Sequence, residues 1–120
     1  MPPSLSVALT VVSRYRVVEH GTAEFLALAG PALGALAARP GFLAGELCGA
    51  LDDGTLFALV TRWESVGSYR RALSHYDVKV TAVPLMYRAI DEPSAFEPVL
   101  VADDGQVVVR ERDRADDVRF

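Results

Sequence analysis

Three side chains in the middle of the chain could do chemistry together: Trp63, Tyr69 and His75. Trp63 ends an apolar run in Arg62-Trp63-Glu64-Ser65, where a strand feeds a helix. An indole at such a junction either anchors the core or forms a pocket wall that stacks on a planar ligand, its N–H free for one oriented hydrogen bond. Tyr69 follows six positions later, on the first turns of the helix, with a hydroxyl that can donate to a ligand oxygen or reach water. His75 lies in Ser74-His75-Tyr76-Asp77, in a break between helical pieces, and is the proton-transfer group near pH 7 in this half of the chain. A structural or solvent-facing imidazole is the alternative. Arg88 could hold a phenolate or carboxylate, or pair with Asp91 or Glu92.

The remaining residues exclude other chemistries. There is no CxxC, HExxH, GxGxxG or GxxxxGK[ST] pattern, and no GxSxG nucleophile elbow. Cys48 is the single cysteine and His20 lies far from His75, so no thiolate cluster is possible and neither a metal nor a cofactor is expected. Cys48 reads as a small hydrophobe buried in a strand. The net charge is −4 and the longest basic run is Arg70-Arg71, which speaks against nucleic acid. No apolar run approaches roughly 18 residues, and the N-terminus lacks signal-peptide regions, so a cytoplasmic protein without membrane contact is expected. A hydrophobic fraction of 51% excludes general disorder and suits an oligomer interface or a lined cavity.

Periodicity gives the elements that must position these residues. Leu5 to Val18 is β-branched and apolar and predicts a largely buried strand over roughly 5–13. Thr22 is the expected N-cap of a helix over about 23–38, with Phe25, Leu26, Leu28, Leu33 and Leu36 as its apolar positions. Gly30-Pro31 predicts a kink or break within it, and Pro40-Gly41 closes it. Strands at about 42–50 and 55–63 flank an Asp52-Asp53-Gly54 turn. Ser65 caps a short helix through about Leu73; a second piece over about 76–90 is bent or delayed by Pro84. Ala95 to Ala102 predicts a fourth strand, with Pro98 marking an edge or bulge. After an Asp103-Asp104-Gly105 turn, Gln106 to Val109 could return as a fifth strand before a charged tail.

The order β-α-β-β-α-β predicts an α+β, ferredoxin-like split βαβ fold with an antiparallel sheet. Helices cover one face of it. Leu56, Ala58 and Val60 alternate with Phe57, Leu59 and Thr61, so both faces are apolar and a second sheet is the natural cover for the other. One domain over residues 1–105 is expected, with 106–120 as a charged C-terminal extension and candidate dimer arm.

From about Val7 to Val101 the chain resembles the antibiotic biosynthesis monooxygenase family. The resemblance is carried by ARPGFLAGEL at the end of the first helix, the turn LDDG, the strand FALVTRWES and the segment SHYD. It implies a dimeric α+β barrel: a homodimer through sheet packing, with a pocket in each subunit between sheet and helices. Characterised relatives include cofactor-independent oxygenases that convert polycyclic phenols or anthrones into quinones, and others that degrade haem. In the quinone-forming branch a tryptophan at the end of strand 3 matches Trp63, and a tyrosine on the next helix matches Tyr69. In the haem branch the proximal histidine lies near the end of helix 2, with His75 the nearest candidate. Both branches use an asparagine, and this sequence has none; the corresponding positions fall near Leu59 and among Val7, Ala8 and Leu9.

The expected function is a cofactor-independent monooxygenase acting on a planar phenolic or polycyclic aromatic substrate with O₂. Trp63 and Tyr69 would position the ring and His75 would assist proton transfer. The alternatives are a non-catalytic small-molecule-binding dimer and a haem-binding or haem-degrading protein.

Overall fold

The computed structural model describes residues 7–111. Strand β1 (Leu9–Arg16) leads to helix α1 (Thr22–Ala37), then to β2 (Phe42–Ala50) and β3 (Asp53–Trp63). Three short helices follow: α2 (Val66–Ser74), α3 (Tyr76–Thr81) and α4 (Val83–Met86). The chain closes with β4 (Ala95–Phe96), β5 (Leu100–Asp103) and β6 (Gln106–Val109). The main sheet is antiparallel in the order β2-β3-β1-β4, with the helices on one face, as the split βαβ pattern requires.

Alternation along the strands sets the inner face. β1 turns Leu9, Val11, Ser13 and Tyr15 inward, and in the antiparallel register these oppose Trp63, Thr61, Leu59 and Phe57 of β3. Against them lies a helical stripe at spacings of three and four. It is formed by Phe25, Ala29, Ala32 and Leu36 of α1, and by Val78, Ala82 and Leu85 of α3 and α4. Alanines carry much of this packing. Leu26 and Leu28, expected as core positions, are 48% and 41% exposed, because a stripe through Phe25 and Leu36 excludes them.

Four local expectations change. α1 runs unbroken through Pro31, since the backbone bond that proline removes falls on the exposed side while the buried stripe continues past it. Its N-cap is Gly21, one residue before Thr22. The β2–β3 loop is Leu51-Asp52, because Asp53 is already paired with Ala50. Its carboxylate accepts from the Thr55 backbone N–H (3.0 Å), the Thr55 hydroxyl (2.7 Å) and Arg16 (2.6 Å). The fourth strand is cut at Glu97-Pro98: only Ala95–Phe96 joins β1, and Leu100–Asp103 pairs with β6 in a separate hairpin. Its tight turn, Asp104-Gly105, has φ of 55° and 77°, the paired left-handed geometry of a two-residue hairpin loop. This hairpin spans the expected boundary between 105 and 106, and the charged tail beyond 111 lies outside the described residues.

The outer sheet face carries Thr10, Val12, Leu56, Ala58 and Val60, all half-buried, and Cys48. Cys48 is exposed rather than buried, since β2 is an edge strand and the residue points away from the helices. No helix among the described residues is long and apolar enough to cross a membrane.

Candidate functional site between sheet and helices

Ser65, in extended backbone, accepts a hydrogen bond from the Ser68 backbone N–H at 2.9 Å and so starts α2 directly after Trp63. Gly41 packs under this corner at φ +89°, with its carbonyl accepting from the Glu64 N–H at 2.9 Å. A Cβ at Gly41 would stand 2.3 Å from the Ser68 Cβ, so only glycine lets the chain after α1 approach α2. The corner places the Tyr69 ring against Trp63, with centroids 5.5 Å apart, while Phe42 meets the indole edge-on at 5.2 Å.

Trp63 is fully buried, and its indole N–H donates to Thr61 Oγ1 at 2.9 Å. That N–H is therefore engaged within the protein, and the ring is held in one orientation by Phe42 and Tyr69. Tyr69 is half-buried, and burial raises the pKa of its hydroxyl.

Two polar residues on the inner face escaped the sequence reading, Ser13 and Tyr15. Ser13 is buried directly across from Leu59, so the strand pair carries a hydroxyl beside that leucine. It also lines a cavity of about 290 Å³ with Met86, Ala89 and Ile90, where the chain after α4 crosses β1. Tyr15 is 1% exposed, and its ring packs on Phe25 at 5.2 Å. Its hydroxyl is buried and, among the described residues, meets no group in full hydrogen-bond geometry, Ser13 being its near neighbour. Burial is the main reason its pKa is pushed up to about 12, while a loose hydrogen bond with Ser13 lowers it, and the charges of Tyr69 and Arg88 raise and lower it in turn. The signal available in the sequence was register: polar residues at 13 and 15 share a face with Thr61 and Trp63 once β1 and β3 are paired.

His75 stands apart from this group. At 100° per residue, Tyr69 and a residue six positions on are about 120° apart around α2. His75 ends α2 and caps α3, its Nδ1 accepting from the Asp77 backbone N–H at 3.2 Å. It lines a different cleft, with Arg39, Ser68 and Arg71. Arg88 makes a 3.5 Å contact with Glu24 rather than with Asp91 or Glu92; Glu92 is held by Arg14 at 2.7 Å. Among the described residues, no group of three or more His, Cys, Asp or Glu is placed to hold a metal ion.

Residues 8–82 match the sequence profile described as antibiotic biosynthesis monooxygenase. The chain belongs to the antibiotic biosynthesis monooxygenase family. The match ends at Ala82, so it takes in β1 through α3 and leaves out α4 and the hairpin. Solved structures share the family fold at low identity. SnoaB, a cofactor-independent oxygenase from Streptomyces nogalater, is 24% identical, with a TM-score of 0.66 over 77% of this chain and 93% of that one. A conserved protein from Methanosarcina mazei Go1 is 16% identical, with a TM-score of 0.65 over 78% and 95%. A conserved protein of unknown function from Bacteroides thetaiotaomicron is 12% identical, with a TM-score of 0.65 over 77% and 98%. No curated protein matches the chain.

Proposed function

We propose that this member of the antibiotic biosynthesis monooxygenase family is a cofactor-independent oxygenase that oxidises a planar phenolic or polycyclic aromatic substrate with O₂. The observation that carries this reading is the buried Tyr15 hydroxyl on the inner sheet face, with the Ser13 hydroxyl two residues before it on the same strand. A hydroxyl held well above its usual pKa stays protonated at neutral pH and can donate. Its natural partner is an oxygen that carries or gains negative charge, such as a phenolate or a developing peroxide.

In this reading the substrate itself supplies the electrons. An anthrone-type ring loses a proton to give its phenolate and reduces O₂; a C–O bond forms, and loss of water leaves a carbonyl where a CH₂ stood. One O₂ is consumed, one of its oxygen atoms ends in the product and the other in water. The chain's residues orient the ring (Trp63, Tyr69), donate to its oxygen (Tyr15, with Ser13 beside it) and exclude water. His75 enters only as a separate proposal for proton transfer. While its Nδ1 accepts from Asp77, the proton of the neutral ring is on Nε2, so taking up a second proton at Nδ1 opens the α3 cap.

Oxygen uptake with an anthrone, without added cofactor and with chelator present, tests the reading. We expect about one O₂ per anthrone, with Trp63→Phe and Tyr69→Phe both slowed. No uptake above the anthrone's own autoxidation rejects the function. Uptake unaffected by either variant rejects the site. A slowed His75→Ala variant with normal thermal stability would support the proton-transfer role; loss of stability alone assigns His75 to the cap.

The same reading includes a homodimer through sheet packing. Its support is the uncovered apolar face of the main sheet, and a β5–β6 hairpin whose Leu100, Val107 and Val109 are 63%, 67% and 77% exposed.

A further inference from the structure

The far side of α2 carries a second cleft, of about 280 Å³, between the end of α1 and the α2–α3 junction. Arg39, Arg71 and His75 line it, over a small apolar floor of Pro40 and Ala72. None of its lining residues is acidic. Four arginines elsewhere meet carboxylates, Arg14 with Glu92, Arg16 with Asp53, Arg62 with Glu46 and Arg88 with Glu24, while Arg70 on α2 meets none among the described residues. Arg39 and Arg71 have no such partner among the described residues, in a protein whose net charge is −4.

The available groups in the cleft are donors. The Arg39 Nε–H is buried and unpartnered among the described residues, which is costly for a charged group. The serine hydroxyl hydrogens are already directed at backbone carbonyls, Ser68 at Ser65 (2.8 Å) and Ser74 at Arg70 (3.3 Å). His75 accepts at Nδ1 from Asp77, so its neutral ring carries the proton on Nε2. The cleft therefore gathers Arg39, Arg71 and His75 with no acidic side chain among its lining residues. An anion with several oxygens bonds to the accessible donors of these side chains and offsets their positive charge.

We propose that this cleft binds a phosphate group, either free phosphate or the monoester of a small molecule, between Arg39 and Arg71 with His75 as a further donor. Arg71 and His75 lie four residues apart at the end of α2 and Arg39 lies in the α1–β2 connection, so two elements supply more donors than the two oxygens of a carboxylate can take, which suits the four oxygens of phosphate. The cleft is also larger than phosphate alone requires, and its Pro40–Ala72 floor could accept an ester's organic part. The site is separate from the Tyr15 group and stands or falls independently of the oxygenase reading.

Isothermal titration calorimetry of the full chain in a low-salt, phosphate-free buffer tests it, with inorganic phosphate, phenyl phosphate and acetate at matched ionic strength. Saturable binding of phosphate is expected, weakened about tenfold or more in Arg71→Gln and in Arg39→Met. Arg62→Gln, which alters a paired arginine of the sheet, should bind as the parent does. Arg71 is exposed, so its variant carries the test even where Arg39→Met fails to fold. Tighter binding of phenyl phosphate identifies an ester as the ligand, and equal binding identifies free phosphate. Absence of saturable binding, equal binding of acetate, or phosphate binding that survives Arg71→Gln would overturn the proposal.

Discussion

Tyr15 is the residue at which stability and proposed function pull apart. A buried hydroxyl without a well-formed hydrogen bond costs about 1–3 kcal/mol, of which the Ser13 neighbour offsets a part. Tyr15→Phe keeps the ring contact with Phe25 and removes only the oxygen. The variant should unfold at equal or higher denaturant concentration than the parent while oxidising an anthrone more slowly. A clear loss of stability would show that the hydroxyl is satisfied in the free protein, and would remove the argument for a ligand there. Trp63 is the opposite case. Its N–H is satisfied by Thr61 and its ring is packed on two sides, so its burial is fully explained by the core. Its type was legible in the sequence, but its hydrogen-bond partner was not: Thr61 lies two residues earlier on the same strand and is polar at a position that alternation alone assigns to the apolar face.

At the scale of elements, short contacts at chain reversals decide where the site residues stand. Gly41 has both a left-handed φ and a neighbour too close for any side chain. Gly41→Ala should lower stability by about 2 kcal/mol or more, measured by urea unfolding, and should disturb the Trp63–Tyr69 corner reported by indole fluorescence. An unchanged midpoint would mean that the α1–β2 connection can move away from α2. The β2–β3 hairpin gives a pH-dependent case. The Asp53 pKa is lowered from 3.8 to about 2, mainly by hydrogen bonds from the Thr55 hydroxyl and backbone N–H and then from Arg16. A carboxylate whose folded pKa is depressed contributes stability that is present above the unfolded value and is lost as pH falls through the folded one. Between about pH 4 and pH 2 the parent should therefore lose stability more steeply than Asp53→Asn; matching acid limbs would contradict this.

For the whole molecule, the exposed apolar surface is unequally distributed: helices cover the inner sheet face, and nothing among the described residues fully covers the outer one. Sedimentation should show a dimer at micromolar concentration. Ala58→Glu, at the centre of the open face, should shift it toward monomer without changing the helical circular dichroism, because Ala58 points away from the helices. A parent monomeric at all concentrations would reject sheet packing. Family membership extends over β1 to α3, and the β5–β6 hairpin lies beyond that match. Its apolar strands are the part of this molecule most in need of a partner.

By itself the sequence determined the order of elements through the strand at Trp63 and its helix, the α+β class, the Ser65 cap and the strand–helix corner at Trp63. Each follows from local periodicity or from a residue whose conformational preference acts within a few positions. It also brought out Trp63, Tyr69 and His75 as the side chains with chemistry to offer. Only the tertiary structure decided which of them meet. A spacing of six residues does not return to the same side of a 3.6-residue helix, so Tyr69 turns to Trp63 while His75 joins Arg39 and Arg71 across α2. Strand register, which depends on pairing between segments some fifty residues apart, set Ser13 opposite Leu59 and Tyr15 opposite Phe57. Among the described residues, the burial of Tyr15 Oη and Arg39 Nε without well-formed hydrogen bonds is likewise a product of the tertiary packing. No local pattern records them, because being unsatisfied is a property of everything that surrounds an atom.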